Sequence, residues 1–229
     1  VIPKPFYTPS DPLISSQYYF NIIKAYQAWD ISKGDTNVVI GIVDTGIDYI
    51  NQSDLSENIK YNNNDPIDGI DNDGDGYIDN FRGWDLGDGD NAPLPSGDHG
   101  TWVGGIAGAK TDNANGIASV GYNCKILPVK IANSTGVLVA AYEGIVYAAD
   151  KGCQIINCSW GSAAGRGQYG QDIVDYATLN KGALVIAAAG NDGNETPMYP
   201  AAYKNVINVC ATTSTDVKWS NSSYGIHID

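Results

Sequence analysis

Five short runs of apolar and β-branched residues recur along the chain, at 38–43, 125–131, 154–158, 183–188 and 205–210. None alternates apolar with polar as a half-exposed strand would, so each is predicted to be a strand covered on both faces. Between them lie segments with helical spacing, at 100–109, 137–151 and 170–181, and Gly152 and Gly182 stand where a C-capping glycine belongs. Asn21 to Asp30 also reads as a helix, with Ile22, Ile23, Tyr26 and Trp29 on one side. The alternation predicts one α/β fold, a doubly wound parallel sheet with helices on both faces and right-handed crossovers. No internal repeat is present. Residues 1–20 are rich in Pro, Ser and Tyr and read as an N-terminal arm; 21–229 form the domain proper. Residues 51–97 are rich in Asp, Asn and Gly and read as a long loop region.

Length and composition narrow this picture. A chain of 229 residues, 43% of them hydrophobic, can bury a full core. Its net charge is −13 although only 17% of residues are charged, because Lys and Arg number just 13. Such a surface disfavours nucleic acid and anionic lipid and suits cations. No apolar run approaches the roughly 20 residues that span a bilayer. Val1 opens no charged-then-apolar segment, so a signal peptide is expected to be absent or already removed. Of the four cysteines, Cys153 and Cys158 fall on one predicted strand, about 16 Å apart at roughly 3.3 Å per residue, too far for a disulfide. Cys124 and Cys210 belong to strands predicted at opposite sides of the sheet. Buried free thiols are favoured over two disulfides.

Ligands of open α/β sheets bind beyond the carboxyl ends of the strands. Asp44 ends the first predicted strand, Ser159-Trp160-Gly161 follows the third, and Gly190-Asn191-Asp192-Gly193 follows the fourth. His99 opens a predicted helix whose Gly104, Gly105 and Gly108 permit close packing. A serine hydroxyl becomes a nucleophile when a base takes its proton, and imidazole suits that task near neutral pH. A carboxylate must hold the other ring N–H, the role expected of Asp44. Asn191, on a glycine-flanked turn, is expected to donate to the oxyanion.

Together, Val43-Asp44-Thr45-Gly46-Ile47, Asp98-His99-Gly100-Thr101, Val129-Lys130, Asn157-Cys158-Ser159-Trp160-Gly161, Ala188-Ala189-Gly190-Asn191 and the segment Trp219 to Gly225 resemble the subtilisin-like serine peptidases, the subtilases. The resemblance runs from about residue 20 to the last residue, and the order Asp then His suits a triad with Ser third. It implies a serine endopeptidase acting on an extended polypeptide, with Asp44 and His99 in the triad and Asn191 as oxyanion donor. It implies substrate clamping by Asn133-Ser134-Thr135-Gly136 and by Ser159-Trp160-Gly161, as in strand addition. Residues 187–190, Ala189 and Gly190 among them, would wall the primary specificity pocket, with Met198 near its base and Asp192 near its rim. Met198 suggests preference for a medium or large apolar residue before the scissile bond.

Two departures from the family pattern stand out. Trp102 replaces the second histidine of the His-Gly-Thr-His motif, from which altered local packing is expected. The Gly-Thr-Ser-Met-Ala-like nucleophile motif does not occur, and Ser159, Ser162, Ser214, Ser220, Ser222 and Ser223 lack its flanking residues. The 229 residues are therefore expected to be a catalytic domain truncated before its serine, and inactive alone. A monomer, and a propeptide removed before Val1, are also expected.

The loop Asp71-Asn72-Asp73-Gly74-Asp75-Gly76-Tyr77-Ile78-Asp79 repeats the opening of an EF-hand. Side chains of Asp71, Asp73 and Asp75, the Tyr77 carbonyl and Asp79 would surround one Ca²⁺. Position 12 is Arg82, so a closing carboxylate would come from Asp68 or Asp85. Asp54 with the loop Asn113-Ala114-Asn115-Gly116-Ile117 resembles a second calcium site of the family. Millimolar calcium is extracellular, so these sites favour secretion.

Rival readings are weaker. No G-x-G-x-x-G precedes Asp44, so a dinucleotide site is disfavoured. Zinc is disfavoured because His227 is the sole histidine besides His99. Cys158 lies within a predicted strand and packs more naturally than it reacts. The remaining alternative to the endopeptidase is a non-catalytic calcium- or peptide-binding scaffold on the same fold.

Overall fold

The computed structural model describes residues 6–229; the first five residues of the predicted arm, and the reading made from Val1, lie outside the described residues. Six strands form one sheet: β1 (Val39–Asp44), β2 (Trp84–Asp85), β3 (Lys125–Lys130), β4 (Ile155–Cys158), β5 (Leu184–Ala188) and β6 (Val206–Val209). Their order is β2-β3-β1-β4-β5-β6, and every pair is parallel. From β1 the chain crosses to the edge strand β2, returns to place β3 between β2 and β1, and then adds β4, β5 and β6 in turn on the other side. The reversal between β1 and β4 opens the crevice in which such sheets bind ligands.

All six residues of β1 are buried, as its unbroken apolar run requires. Successive side chains serve opposite faces. Val39 and Val43 join Leu127, Val129, Ile145 and Val174 under α5 (Ala141–Asp150) and α6 (Gln168–Asp175). Ile40 and Ile42 join Ile47, Leu55, Ile59 and Ile126 on the face that α4 (His99–Gly108) covers. A third cluster, Ile14, Phe20, Ala25, Trp29, Ala118 and Tyr122, ties down the N-terminal segment. There the Tyr7 hydroxyl donates to Asp112 at 2.6 Å and Ser10 N–H to the same carboxylate at 3.0 Å.

The predicted strands fall within a residue or two of those observed. The segment 21–30 differs: it is two short helices, α1 (Tyr19–Ile22) and α2 (Ala25–Trp29), separated at Lys24, whose φ of 56° is left-handed. The helix predicted from 137 starts at Ala141, because Val139 and Ala140 first donate their N–H groups back to Ile131 O. The 170–181 segment ends in a π-helical turn, Tyr176–Asn180. The long insert carries a one-turn α3 (Ser53–Ser56) and the two-residue β2. All four cysteines are free, with Cys124, Cys153 and Cys158 buried.

Candidate active site

Asp44 closes β1 and is 2% exposed. Its Oδ1 accepts the Thr45 N–H at 2.7 Å and lies 2.8 Å from His99 Nδ1. With a carboxylate at that distance, Nδ1 carries the proton and the other ring nitrogen is left to act as base. The His99 side chain is 53% exposed, so the ring is held from below and open above. Asp44 Oδ2 is buried and without a partner among the described residues.

The close approach of α4 to β1 makes this contact possible. A Cβ on Gly100 would lie 2.3 Å from Gly46 O and 3.2 Å from Asp44 Oδ1, so no larger residue fits without parting helix and strand. Two threonines latch the junction: Gly100 N–H donates to Thr45 Oγ1 at 3.0 Å, and Asp48 N–H to Thr101 Oγ1 at 2.9 Å. Both lie inside the Asp-Thr-Gly and His-Gly-Thr segments, yet neither was assigned a role from sequence. Trp102 is 64% exposed, so replacing histidine there leaves an indole largely in solvent and not a rearranged interior.

Because β4 and β5 follow β1 in the sheet, the segments after them share its rim. Ser159 Oγ accepts from Asn157 Nδ2 at 2.9 Å, and the Trp160 indole donates to Val43 O at 2.9 Å, bracing the turn against β1. Asn191 is exposed after β5, and Gly190 before it has φ of 107°. Met198 lies between two glycines. A Cβ on Gly190 would come within 2.8 Å of its Cγ, and one on Gly161 within 3.5 Å of its Cβ. Ala189 is buried beside them. Burial, reinforced by the Asp44 charge, pushes the Cys158 thiol well up, so it is inert beside the site.

The 133–136 segment differs from the expected open edge. Asn133 N–H donates to Val137 O and Gly136 N–H to Asn133 O, each at 2.9 Å. Thr135 and Val137 N–H groups both go to Asn133 Oδ1, and Ser134 N–H goes to Asp88 Oδ1. The N–H groups of Asn133, Ser134, Thr135 and Gly136 are thus already taken, three within the loop and that of Ser134 by Asp88. Beyond them, Leu138 is exposed, and its N–H takes no protein acceptor among the described residues. The free backbone donor of this edge is thus at Leu138, just after the 133–136 segment. Lys130, 5% exposed at the end of β3, anchors this loop through Asp85 at 2.6 Å and Asp88 at 3.0 Å.

The acidic insert is also arranged differently. Carboxylate oxygens of Asp65, Asp71 and Asp73 lie within 4.8 Å of one another. Asp75 is turned aside to Lys151 and Asn80, and Asp79 accepts the N–H groups of Asp68 and Gly69. Asp68 takes the Asn72 amide, and Asp85 is committed to Lys130. Asp65 lies outside the EF-hand spacing and was missed; it folds back by accepting the N–H groups of Asn72 and Asn80. The Tyr77 ring packs against Trp84 and Tyr147. At the second loop, Asp54 sits inside the turn and accepts from Asn113 Nδ2, Asn115 Nδ2 and Ile117 N–H at 2.9, 3.0 and 3.2 Å.

Residues 35–229 match the Subtilase family (Peptidase_S8). Over 226 residues the chain is 40% identical to thermitase of Thermoactinomyces vulgaris, covering 97% of this chain and 72% of that protein. It is 37% identical over 227 residues to the thermophilic serine proteinase of Bacillus sp. strain AK1, covering 97% of this chain and 50% of that protein. The fold is similar to that of a protease of Pseudoalteromonas arctica, with a TM-score of 0.78 and 28% identity, covering 97% of this chain and 71% of that one. The chain thus spans about half to three quarters of the length of these relatives.

Proposed function

The chain belongs to the subtilase family, a family of serine proteases, and from that membership we propose that it is the acid–base half of a secreted, calcium-stabilised serine endopeptidase. The observation carrying this reading is the 2.8 Å contact between buried Asp44 and the exposed ring of His99. In the reaction, Nε2 of His99 takes the proton of a serine hydroxyl as its oxygen attacks the peptide carbonyl. Asp44 keeps the Nδ1 proton in place and stabilises the imidazolium. The carbonyl oxygen becomes an oxyanion that the Asn191 amide is positioned in sequence to receive. His99 then gives its proton to the leaving amine. Water, deprotonated by the same ring, releases the acyl group. The Met198 wall of the pocket favours an apolar residue before the scissile bond.

Ser159 and the other serines make no hydrogen bond to His99 among the described residues. The 229 residues alone are accordingly proposed not to turn over peptides, with the nucleophile a serine they do not contain. A fluorophosphonate probe tests this: labelling of a Gly-Thr-Ser serine in the protein that carries one, lost in Asp44→Ala and His99→Ala, supports the endopeptidase. Folded material with that serine but without label would favour the peptide-binding scaffold.

Calcium suits the donor chemistry of the insert, where Asp65, Asp71 and Asp73 bring hard oxygen ligands together and repel one another without a cation. Bound there it would supply charge neutralisation and fold stability. With free Ca²⁺ at about 100 times Kd, one site adds about 2.7 kcal/mol. The Asp54 loop is proposed as a second site, since half-turns of the Asn113 and Asn115 amides would present oxygen in place of nitrogen. Millimolar calcium is met outside cells, which supports secretion. No helix among the described residues is long and apolar enough to cross a membrane.

A further inference from the structure

A cavity of about 810 Å³ lies between the acidic insert and the end of α5, lined by Asp73, Asp75, Tyr77, Tyr147 and Lys151 among others. Its floor holds an anomaly. Tyr147 is 2% exposed, and its hydroxyl is fully buried with no partner among the described residues. An orphaned buried hydroxyl is destabilising unless water or a ligand meets it. This one lies within the field of Asp73 and Asp65, two of the three clustered carboxylates. A cation held by that cluster, with its hydration water directed inward, would satisfy it.

Lys151 occupies the same space. Its ammonium contacts Asp75, lies 5.6 and 5.4 Å from the ring centres of Tyr77 and Tyr147, and feels the charges of Asp73, Asp65 and Asp71. The side chain is 17% exposed, so the charge is poorly screened by solvent. Its backbone caps α5, the N–H of Lys151 donating to Tyr147 O at 2.9 Å. A monovalent positive charge is thus built onto the scaffold beside a carboxylate cluster suited to a divalent one.

We propose that Lys151 is an internal counter-ion that competes with a divalent, oxygen-seeking cation for the Asp65–Asp71–Asp73 cluster. The ammonium holds the insert against α5 when the cation is absent and is released from Asp75 when it binds. This rests on the calcium reading of the insert and adds to it a residue that weakens the site. Removing one positive charge this near a divalent ion tightens binding roughly tenfold.

Calorimetric titration of the protein with CaCl₂ tests this. Lys151→Met, which keeps the aliphatic stem, is expected to bind about tenfold tighter, while Lys151→Arg behaves as wild type. Lys181→Met removes a cation on another wall of the cavity, where Lys181 pairs with Asp150 at 2.7 Å, and is expected to change affinity little. In wild type, independently of any variant's folding, adding Ca²⁺ should raise the acetylation rate of Lys151 and leave Lys181 unchanged. Calcium binding with equal affinity in wild type and folded Lys151→Met, or equal tightening by Lys181→Met, overturns the competition alone. Absence of binding in all of them overturns the calcium reading of the insert as well.

Discussion

Gly100→Ala probes the junction that creates the candidate site. The added methyl would stand 2.3 Å from Gly46 O, where ordinary contact begins near 3.4 Å, so helix and strand must part by about 1 Å. Both partners are backbone-bound, so no side-chain rotation relieves the clash. Overpacking of this kind costs about 1–3 kcal/mol. Alanine returns about 0.5–1 kcal/mol of helix propensity, leaving a net loss of about 1–2 kcal/mol. In a chain of this size that lowers Tm by about 2–8 °C. The same displacement pulls His99 from Asp44 and breaks the Gly100–Thr45 bond. With two histidines in the chain, the low-field Nδ1 proton of His99 can be followed by NMR, and it should broaden or vanish. In the protein carrying its nucleophile, a 1 Å misplacement costs about 10²-fold in turnover. Gly97→Ala is the contrast: three residues earlier the space is open and φ is not left-handed. That change should leave stability level or raise it by about 0.4–1 kcal/mol. A Gly100→Ala protein with unaltered Tm and an unaltered Nδ1 resonance would refute the close-packing account.

Lys130→Met should cost about 3–5 kcal/mol in urea unfolding, because it strands the buried Asp85 carboxylate; a loss under 1 kcal/mol would show that Asp85 finds another partner. The hydrogen bond from Lys130 holds the Asp88 carboxyl below its ordinary range. Its contribution is therefore complete above about pH 4 and fades as pH falls through the lower folded value. Asp88→Asn should accordingly flatten the acid limb of a stability–pH curve, and an unchanged slope there would contradict the pairing. Thiol titration at pH 8 should modify Cys210 first and leave Cys153, pushed up to about 12 by burial, untouched until the protein unfolds; rapid native labelling of Cys153 would place it at the surface.

Much of the framework was legible because its strands are buried on both faces and read as unbroken apolar runs. Asp44 and His99 could be paired from the chain because each sits at the end of a strongly patterned element. What escaped was decided by contacts distant along the chain. Nothing in the sequence around Lys24 marks the left-handed turn that splits α1 from α2. Two-residue β2 exists because Trp84 and Asp85 lie beside Val129 and Lys130. The Asn133 turn was closer to readable, since Asn-Ser-Thr-Gly carries its own turn chemistry. Its side chain consumes the N–H groups that an edge would offer. Asp65 shows the limit of motif spacing: the loop closes on a carboxylate six residues before the motif begins.

The carboxylate and the imidazole stand 55 positions apart. Their meeting therefore waits on closure of a long loop, at an entropic cost that grows slowly with its length, and on docking of α4 across β1. A nascent or partly unravelled chain holds each group as an ordinary surface acid and an idle histidine. On the proposed reading, cleavage would arrive only with the finished architecture, so a copy that has not yet folded could cut neither itself nor its neighbours.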